Sequence, residues 1–300
     1  MKGLKDSIYL GAPMFLSRSP SKDFSYLQNK LEARLSGWRS RTFSWVDRST
    51  LILLVAQNLP NYSMSLIKVP SSICDKLDVL TRHFLWKPIN QDGKFLALKS
   101  WDKLCYPKAK GGLGFKKVAV FNNALLAKLA WMIMSKRDNL CMSLLRAKYK
   151  VRQGWLYANR SKIYSSIWKA IEDTKSIILK GTCYQLGDGS SINVWNDPWV
   201  LWLQNFKPKL RLDPIAETLL MESQLIDHDL YTWNTNLVNH IFDAQFAQIV
   251  LSIAIPARSR PNTLIWIPDP KGKFSVRSAY HISTSHIHTN LSPNIKWMKL

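Results

Sequence analysis

Lysine and arginine outnumber aspartate and glutamate by 42 to 20 across these 300 residues, a formal charge of +22. No fold can pair that excess internally. The surplus cations must stay at the surface, in water or against a foreign anion, while the 46 % of hydrophobic residues collapse into a core beneath them. A polyanion is the partner such a surface implies. The excess is also uneven: residues 1–150 carry 26 Lys and Arg against 9 Asp and Glu, and residues 151–300 carry 16 against 11. A basic role therefore belongs to the first half.

Within that half the cations alternate with rings. Arg34, Trp38, Arg39, Arg41, Trp45 and Arg48 form one stretch; Lys94, Lys99, Trp101, Lys103, Tyr106, Lys108 and Lys110 form another. Cations neutralise phosphates and flat rings stack on bases, so the pattern suits a nucleic-acid surface. It equally suits a solvated basic face over a Trp-rich core, and the size of the net charge favours nucleic acid. No apolar run approaches the ~20 residues that span a bilayer, and the opening Met1–Asp6 lacks the apolar stretch of a secretory signal. A soluble, intracellular chain with no membrane partner is expected. Cys74, Cys105, Cys141 and Cys183 lie more than 30 residues apart and are expected to be reduced and mostly buried, without the close pairs of a zinc site.

Periodicity predicts mostly helices. Phe24, Leu27, Leu31 and Leu35 share one helical stripe, with Lys30 and Arg34 on its flank and Gly37 as its stop. Residues 48–59 are apolar nearly all round until Pro60, which predicts a core helix. A third helix follows Pro70, with Ser72 and Asp75 as a weak capping pair and Ile73, Leu77, Leu80 and Phe84 as its buried face. Lys94–Trp101 alternates as a short strand, and the stripe Phe121, Leu125, Leu129 and Met132, widened by Leu126, Ala130 and Ile133, marks a helix enclosed on most sides. Between them, Lys108–Lys117 contains Gly111, Gly112 and Gly114. Glycine there serves either a phosphate cradle or a tight structural turn, and the Gly-Lys-Ser/Thr ending of a nucleotide-binding loop is missing.

Further helices are predicted at 138–149, 167–179 and 238–253. Tyr184, Leu186, Ile192 and Val194 flank Gly187-Asp188-Gly189 as a hairpin, Trp195–Trp199 is a turn between two rings, and Leu264–Ile267 with Phe274–Val276 is a second hairpin around 269–273. The expected fold class is mainly α with small β hairpins (α+β): an N-terminal helical bundle, then a mixed, less regular C-terminal region. Clustered carboxylates for a two-metal centre are absent from the pattern. Asp75 with Asp78, and Asp227 with Asp229, read as a capping pair and a loop pair, and His281, His286 and His288 as surface histidines. No catalytic or metal residue is assigned.

The ordered motifs Tyr9–Pro13, Leu35–Trp38, Leu59–Met64, Phe84–Trp86, Trp101–Lys108, Gly111–Phe115, Phe121–Lys128 with Trp131, Gly187–Trp199 and Gly272–Tyr280 carry a resemblance. Together they are similar to the region downstream of the polymerase core in plant non-LTR (LINE-type) retrotransposon reverse transcriptases, ending at the entry to the family's reverse-transcriptase zinc-binding domain. One departure is Asp47, where the family has glycine, at a helix start. The resemblance implies a helical thumb-like basic domain over 1–150, a linker or connection region over 151–265 with a hairpin near 182–195, and the truncated start of a zinc-binding domain over 266–300. The family's palm aspartates, zinc ligands and ribonuclease H domain fall outside these motifs, so no cofactor is expected in this chain. Mg2+ and Zn2+ belong to the missing domains, and the palm is the natural docking partner.

The charge and the resemblance converge on sequence-nonspecific holding of nucleic acid (RNA, DNA or hybrid) by backbone phosphates. Lys30, Arg34, Arg39, Arg41 and Arg48 form one expected contact row, and Lys108, Lys110, Lys116 and Lys117 the other. The competing readings are an inactive remnant of a decayed element, a protein-interaction module anchored by tryptophans, and a piece of an intact polymerase. The compartment is left open, with the nucleus suggested by the family.

Overall fold

The computed structural model describes residues 8–9, 12–13, 17, 19–39, 42–87, 97–136, 139–152, 154–159, 165–203, 206–208, 221–227, 230–256 and 260–284. It is mainly α-helical with small antiparallel two-stranded pairings, as the sequence predicts. The chain forms two compact units, Met1–Leu126 with Tyr164–Ile171, and Ala127–Ile163 with Glu172–Leu300.

The first unit opens with the paired strands β1 (Ile8–Tyr9) and β2 (Ala12–Pro13) and continues into α1 (Pro20–Asp23) and α2 (Ser25–Arg39). The predicted stripe is real: Phe24, Leu27, Leu31 and Leu35 are all buried, because a 3.6-residue period returns each of them to the same side. Gly37 does not stop the helix. Its missing side chain would meet nothing within 4 Å, and helical backbone at one exposed glycine costs only about 1 kcal/mol relative to alanine.

Asp47 explains itself at the start of α3 (Trp45–Leu51). Ser44 Oγ accepts the Asp47 N–H, and the Asp47 carboxylate accepts the Ser44 N–H, a reciprocal capping box. The Ser44 hydroxyl, which donates to the same carboxylate, and then the Ser44 N–H hold the Asp47 carboxyl below its ordinary pKa. The following segment is not the all-round core helix expected. Ile52–Ala56 is a π-helical turn, with the Gln57 N–H reaching the Ile52 carbonyl, and it keeps Ile52 and Ala56 inside while Leu54 is 67 % exposed. After α4 (Asn61–Leu66), helix α5 (Ser71–Trp86) starts at Pro70 without a side-chain cap and buries Ile73, Leu77 and Phe84, with Leu80 half-buried.

Ala97–Ser100, the described part of the expected strand Lys94–Trp101, is irregular, and Trp101 instead opens the short helix α6 (Trp101–Leu104), capped by Ser100. A glycine turn leads to α7 (Val118–Met134), whose residues up to 126 belong to the first unit and the rest to the second. It is largely enclosed, as expected: Phe121 and the widening residues Leu126, Ala130 and Ile133 are buried together with Asn122, while Leu125, Leu129 and Met132 are half-buried.

The second unit contains α8 (Leu140–Lys148), close to its predicted span. The helix predicted at 167–179 is broken at Thr174 into α9 (Ser166–Asp173), whose residues up to 171 belong to the first unit, and α10 (Lys175–Leu179), and Lys175 and Glu172 form a buried ion pair of 3.0 Å. Neither predicted hairpin forms. Strand β3 (Thr182–Gln185) pairs instead with the distant β6 (Thr263–Trp266), Thr182 opposite Trp266 and Gln185 opposite Thr263. The expected return strand Phe274–Val276 runs into α13 (Val276–Thr284).

Asn262 clamps the intervening Gly187–Ser191 loop. It accepts the N–H groups of Gly187 and Gly189 and donates to Asp188 and Ser191. The Trp195–Trp199 turn forms as expected around Asn193 and Asp197, with the Trp199 indole donating to the Val194 carbonyl. Strands β4 (Ile226–Asp227) and β5 (Thr232–Trp233) pair with each other, the helix predicted at 238–253 is two helices, α11 (Thr235–Ile241) and α12 (Ala244–Leu251), the second capped by Asp243, and α13 spans Val276–Thr284.

Candidate nucleic-acid interface

Of the first predicted row, Lys30 and Arg34 stand exposed on α2, one helical turn apart. Arg41 and the side chain of Arg39 lie outside the described residues. Arg48 departs from the expectation. It is only 8 % exposed, and its guanidinium is turned toward the Leu85 carbonyl at 3.5 Å, where no phosphate reaches it. Burying an arginine requires that its donors face acceptors, and α5 supplies one.

The second row divides in the same way. Lys108 and Lys110 sit exposed on a single 3-10 turn, Lys108–Lys110. Lys117 forms a 2.8 Å ion pair with Asp102, which raises its pKa, and Lys116 lies 4.0 Å above the Phe121 ring, where burial lowers its pKa. Both lysines hold the turn against α6 and α7. Lys99 and Lys103, which were not in either row, are exposed nearby in sequence. Among the described residues, none of Lys30, Arg34, Lys99, Lys103, Lys108 and Lys110 has an ion-pair partner.

Of the two readings of the glycine-rich segment, the hydrogen bonds fit the structural turn. The N–H groups of Lys110 and Gly112 reach the Pro107 carbonyl, Gly111 reaches Lys108, Leu113 reaches Leu104 and Gly114 reaches Tyr106. A cradle would aim those donors outward at an anion. Gly111 and Gly114 have φ of 77° and 74°, and a Cβ on Gly112 would overlap the Tyr106 carbonyl. All three glycines are required by the chain's own path.

The tryptophans are largely core. Trp101 is buried against Phe115 at 5.4 Å, Trp38 is half-buried on Phe84 at 5.7 Å, and Trp45 is half-exposed with its ring against Trp86 at 4.6 Å. Three of the four thiols, Cys74, Cys105 and Cys183, are buried and Cys141 is exposed; all are free. Among the described residues no three His, Cys, Asp or Glu side chains gather as a metal site, and no helix is long and apolar enough to cross a membrane. His281 is exposed on α13, and His286, His288 and Asp229 lie outside the described residues. Asp227 accepts the Leu230 N–H in its loop.

Asp78 does something the sequence does not reveal. Largely buried on α5, its carboxyl faces the first N–H of α7, at Val118, 3.4 Å from both oxygens. Burial lifts its pKa to about 7, against the lowering effect of the Val118 N–H and the Trp101 indole. An acid whose folded pKa exceeds its unfolded value stabilises the fold fully below about pH 4, and that stability is lost as pH rises toward 7. Its size is on the order of 4 kcal/mol at most. The melting temperature is therefore expected to fall between pH 4 and 7, and Asp78→Asn, which keeps an oxygen for Val118, to flatten that part of the curve. An identical pH profile for the two proteins would contradict this placement of the proton.

A basic helical unit with unneutralised surface cations, joined to a mixed unit of short strands and helices, is the class of protein these features define. No protein-family model matches the chain. It is 32 % identical over 290 residues, 91 % of its length, to a protein of Arabidopsis thaliana named "Putative ribonuclease H protein". It is 31 % identical over 144 residues to an "Uncharacterized mitochondrial protein" of the same plant, covering 93 % of that protein. The chain belongs to the family of these plant proteins, which are retroelement-related. It spans 44 % of the length of the first.

Proposed function

We propose that this chain is a segment of a retroelement-encoded reverse-transcriptase polyprotein of the LINE type, and that its first unit holds nucleic acid by the phosphate backbone without performing chemistry on it. One observation carries this reading: Lys30, Arg34, Lys108 and Lys110 are exposed, and no acid of the described residues neutralises them. Cations left in water gain by releasing the counterions condensed on a polyphosphate, and they contact phosphates without reading bases. Arg39 and Arg41 extend the first row in sequence. The ribonuclease H activity in one relative's name belongs to a protein of which this chain spans 44 %, and the charge pattern of the first unit speaks for binding.

Charge reversal tests the proposal. Lys30→Glu with Arg34→Glu, and separately Lys108→Glu with Lys110→Glu, should each weaken binding to a labelled duplex. Each pair should make the slope of log K against log salt shallower by about 2. Variants that fold and bind with the parent's slope would contradict the assignment of these rows.

A second reading, a protein-docking face, is favoured by the exposure of Trp45, Val46 and Leu54 on α3 and the π-helical turn. In the LINE-type arrangement the neighbour there would be the polymerase palm.

A further inference from the structure

We infer that Tyr106 is a stacking platform for an unpaired base of a single-stranded nucleic-acid segment whose backbone is held by the lysines around it. This rests on the phosphate-holding reading above and names the form of nucleic acid that one part of the surface takes. Tyr106 is 52 % exposed, and among the described residues its ring and hydroxyl make no hydrogen bond or ring contact. Its neighbours in sequence are exposed lysines: Lys103 before it, Lys108 and Lys110 after it. The one acid of the described stretch 97–117, Asp102, is engaged by Lys117.

The backbone under the ring is fixed. Tyr106 N–H reaches the Lys103 carbonyl, its own carbonyl accepts the Gly114 N–H, and Gly112 packs directly against that carbonyl. Pro107 follows, and Leu104 and Cys105 are buried, so the chain is anchored inward on one side while the ring stays in solvent. A ring presented on a rigid turn loses little freedom on binding. Bases within a duplex are already stacked on each other and offer this surface no free face, whereas an unpaired base does, with its phosphates within the field of the lysines. Trp101, the other ring of the same lysine-rich stretch, is buried on Phe115.

The test uses the full chain and two labelled DNA probes of one sequence, single-stranded and duplex. Tyr106→Leu should weaken single-strand binding at least about fivefold, leave duplex binding within about twofold and keep the salt slope, while Tyr106→Trp should retain single-strand binding. Irradiation of the unmodified protein with an iodouracil-substituted strand should place the cross-link on Tyr106, which gives a readout even if the leucine variant fails to fold. Unchanged single-strand affinity in a folded Tyr106→Leu variant, or cross-links mapping elsewhere, would overturn the inference. If reversing Lys108 and Lys110 still flattens the salt slope in that case, the phosphate-holding reading survives; if the unmodified chain binds neither probe, both fall.

Discussion

Replacing Asn122 by leucine is expected to cost the first unit several kcal/mol, enough to leave it largely unfolded. The side chain is buried on α7 and makes three bonds to backbone groups far away in sequence: its amide donates to the carbonyls of Met64 at 2.6 Å and Ile67 at 3.1 Å, and its oxygen accepts the Val69 N–H at 2.9 Å. Ile67 and Val69 lie between α4 and α5, and Met64 is in the last turn of α4, where carbonyls run out of intrahelical donors, so these groups need a partner from elsewhere. Leucine has the same branched skeleton but leaves three buried polar groups unpaired, at about 1–3 kcal/mol each. Asparagine is therefore demanded by hydrogen bonding rather than by shape. Denaturant unfolding of the full chain should show the loss in a transition of the first unit, and a midpoint within error of the parent would contradict it. Asn122→Asp should be nearly as damaging, since the carboxylate keeps the acceptor and removes both donors.

Gly112→Ala is the second large effect, and its cause is steric. A Cβ at this position would overlap the main-chain carbonyl of Tyr106, and that carbonyl cannot rotate away without giving up the Gly114 N–H. The turn must open. Gly111→Ala places its Cβ in open space but holds a side chain at φ of 77°, so it carries only conformational strain of about 1–2 kcal/mol. The expected order is Gly112→Ala well below Gly111→Ala in melting temperature, with Lys108 and Lys110 losing their fixed presentation and nucleic-acid affinity falling in the same order. Equal melting temperatures would show that the turn relaxes freely.

Much of this architecture was legible, and the failures share a cause. The stripe from Phe24 to Leu35 follows from a local period, and a local period suffices for an amphipathic helix. Asp188-Gly189 is also a local turn signal, but strand pairing is a choice among all strands, and β3 finds β6 some 80 residues away. A hairpin motif cannot announce a distant competitor. The burial of Arg48 is not legible, because arginines are seldom buried and nothing in the sequence shows the Leu85 carbonyl waiting for it. The pairing of Lys117 with Asp102, the capping of α7 by Asp78 and the role of Asn122 are likewise contacts across long sequence separations. The charge excess is legible in the sequence, and Lys30, Arg34, Lys108 and Lys110 of the nine named cations are exposed; that Trp101 serves the core while Tyr106 stays in solvent is not legible, because both rings stand in the same lysine-rich stretch.

If the exposed, unneutralised cations of the first unit meet nucleic-acid phosphates, counterion release measures it directly. Binding of the full chain to a labelled duplex should be followed across a series of salt concentrations. Four phosphate contacts through Lys30, Arg34, Lys108 and Lys110 predict a slope of log K on log salt of about −3.6, steeper if Arg39 and Arg41 take part. A slope near zero, or binding that salt leaves unchanged, would contradict it.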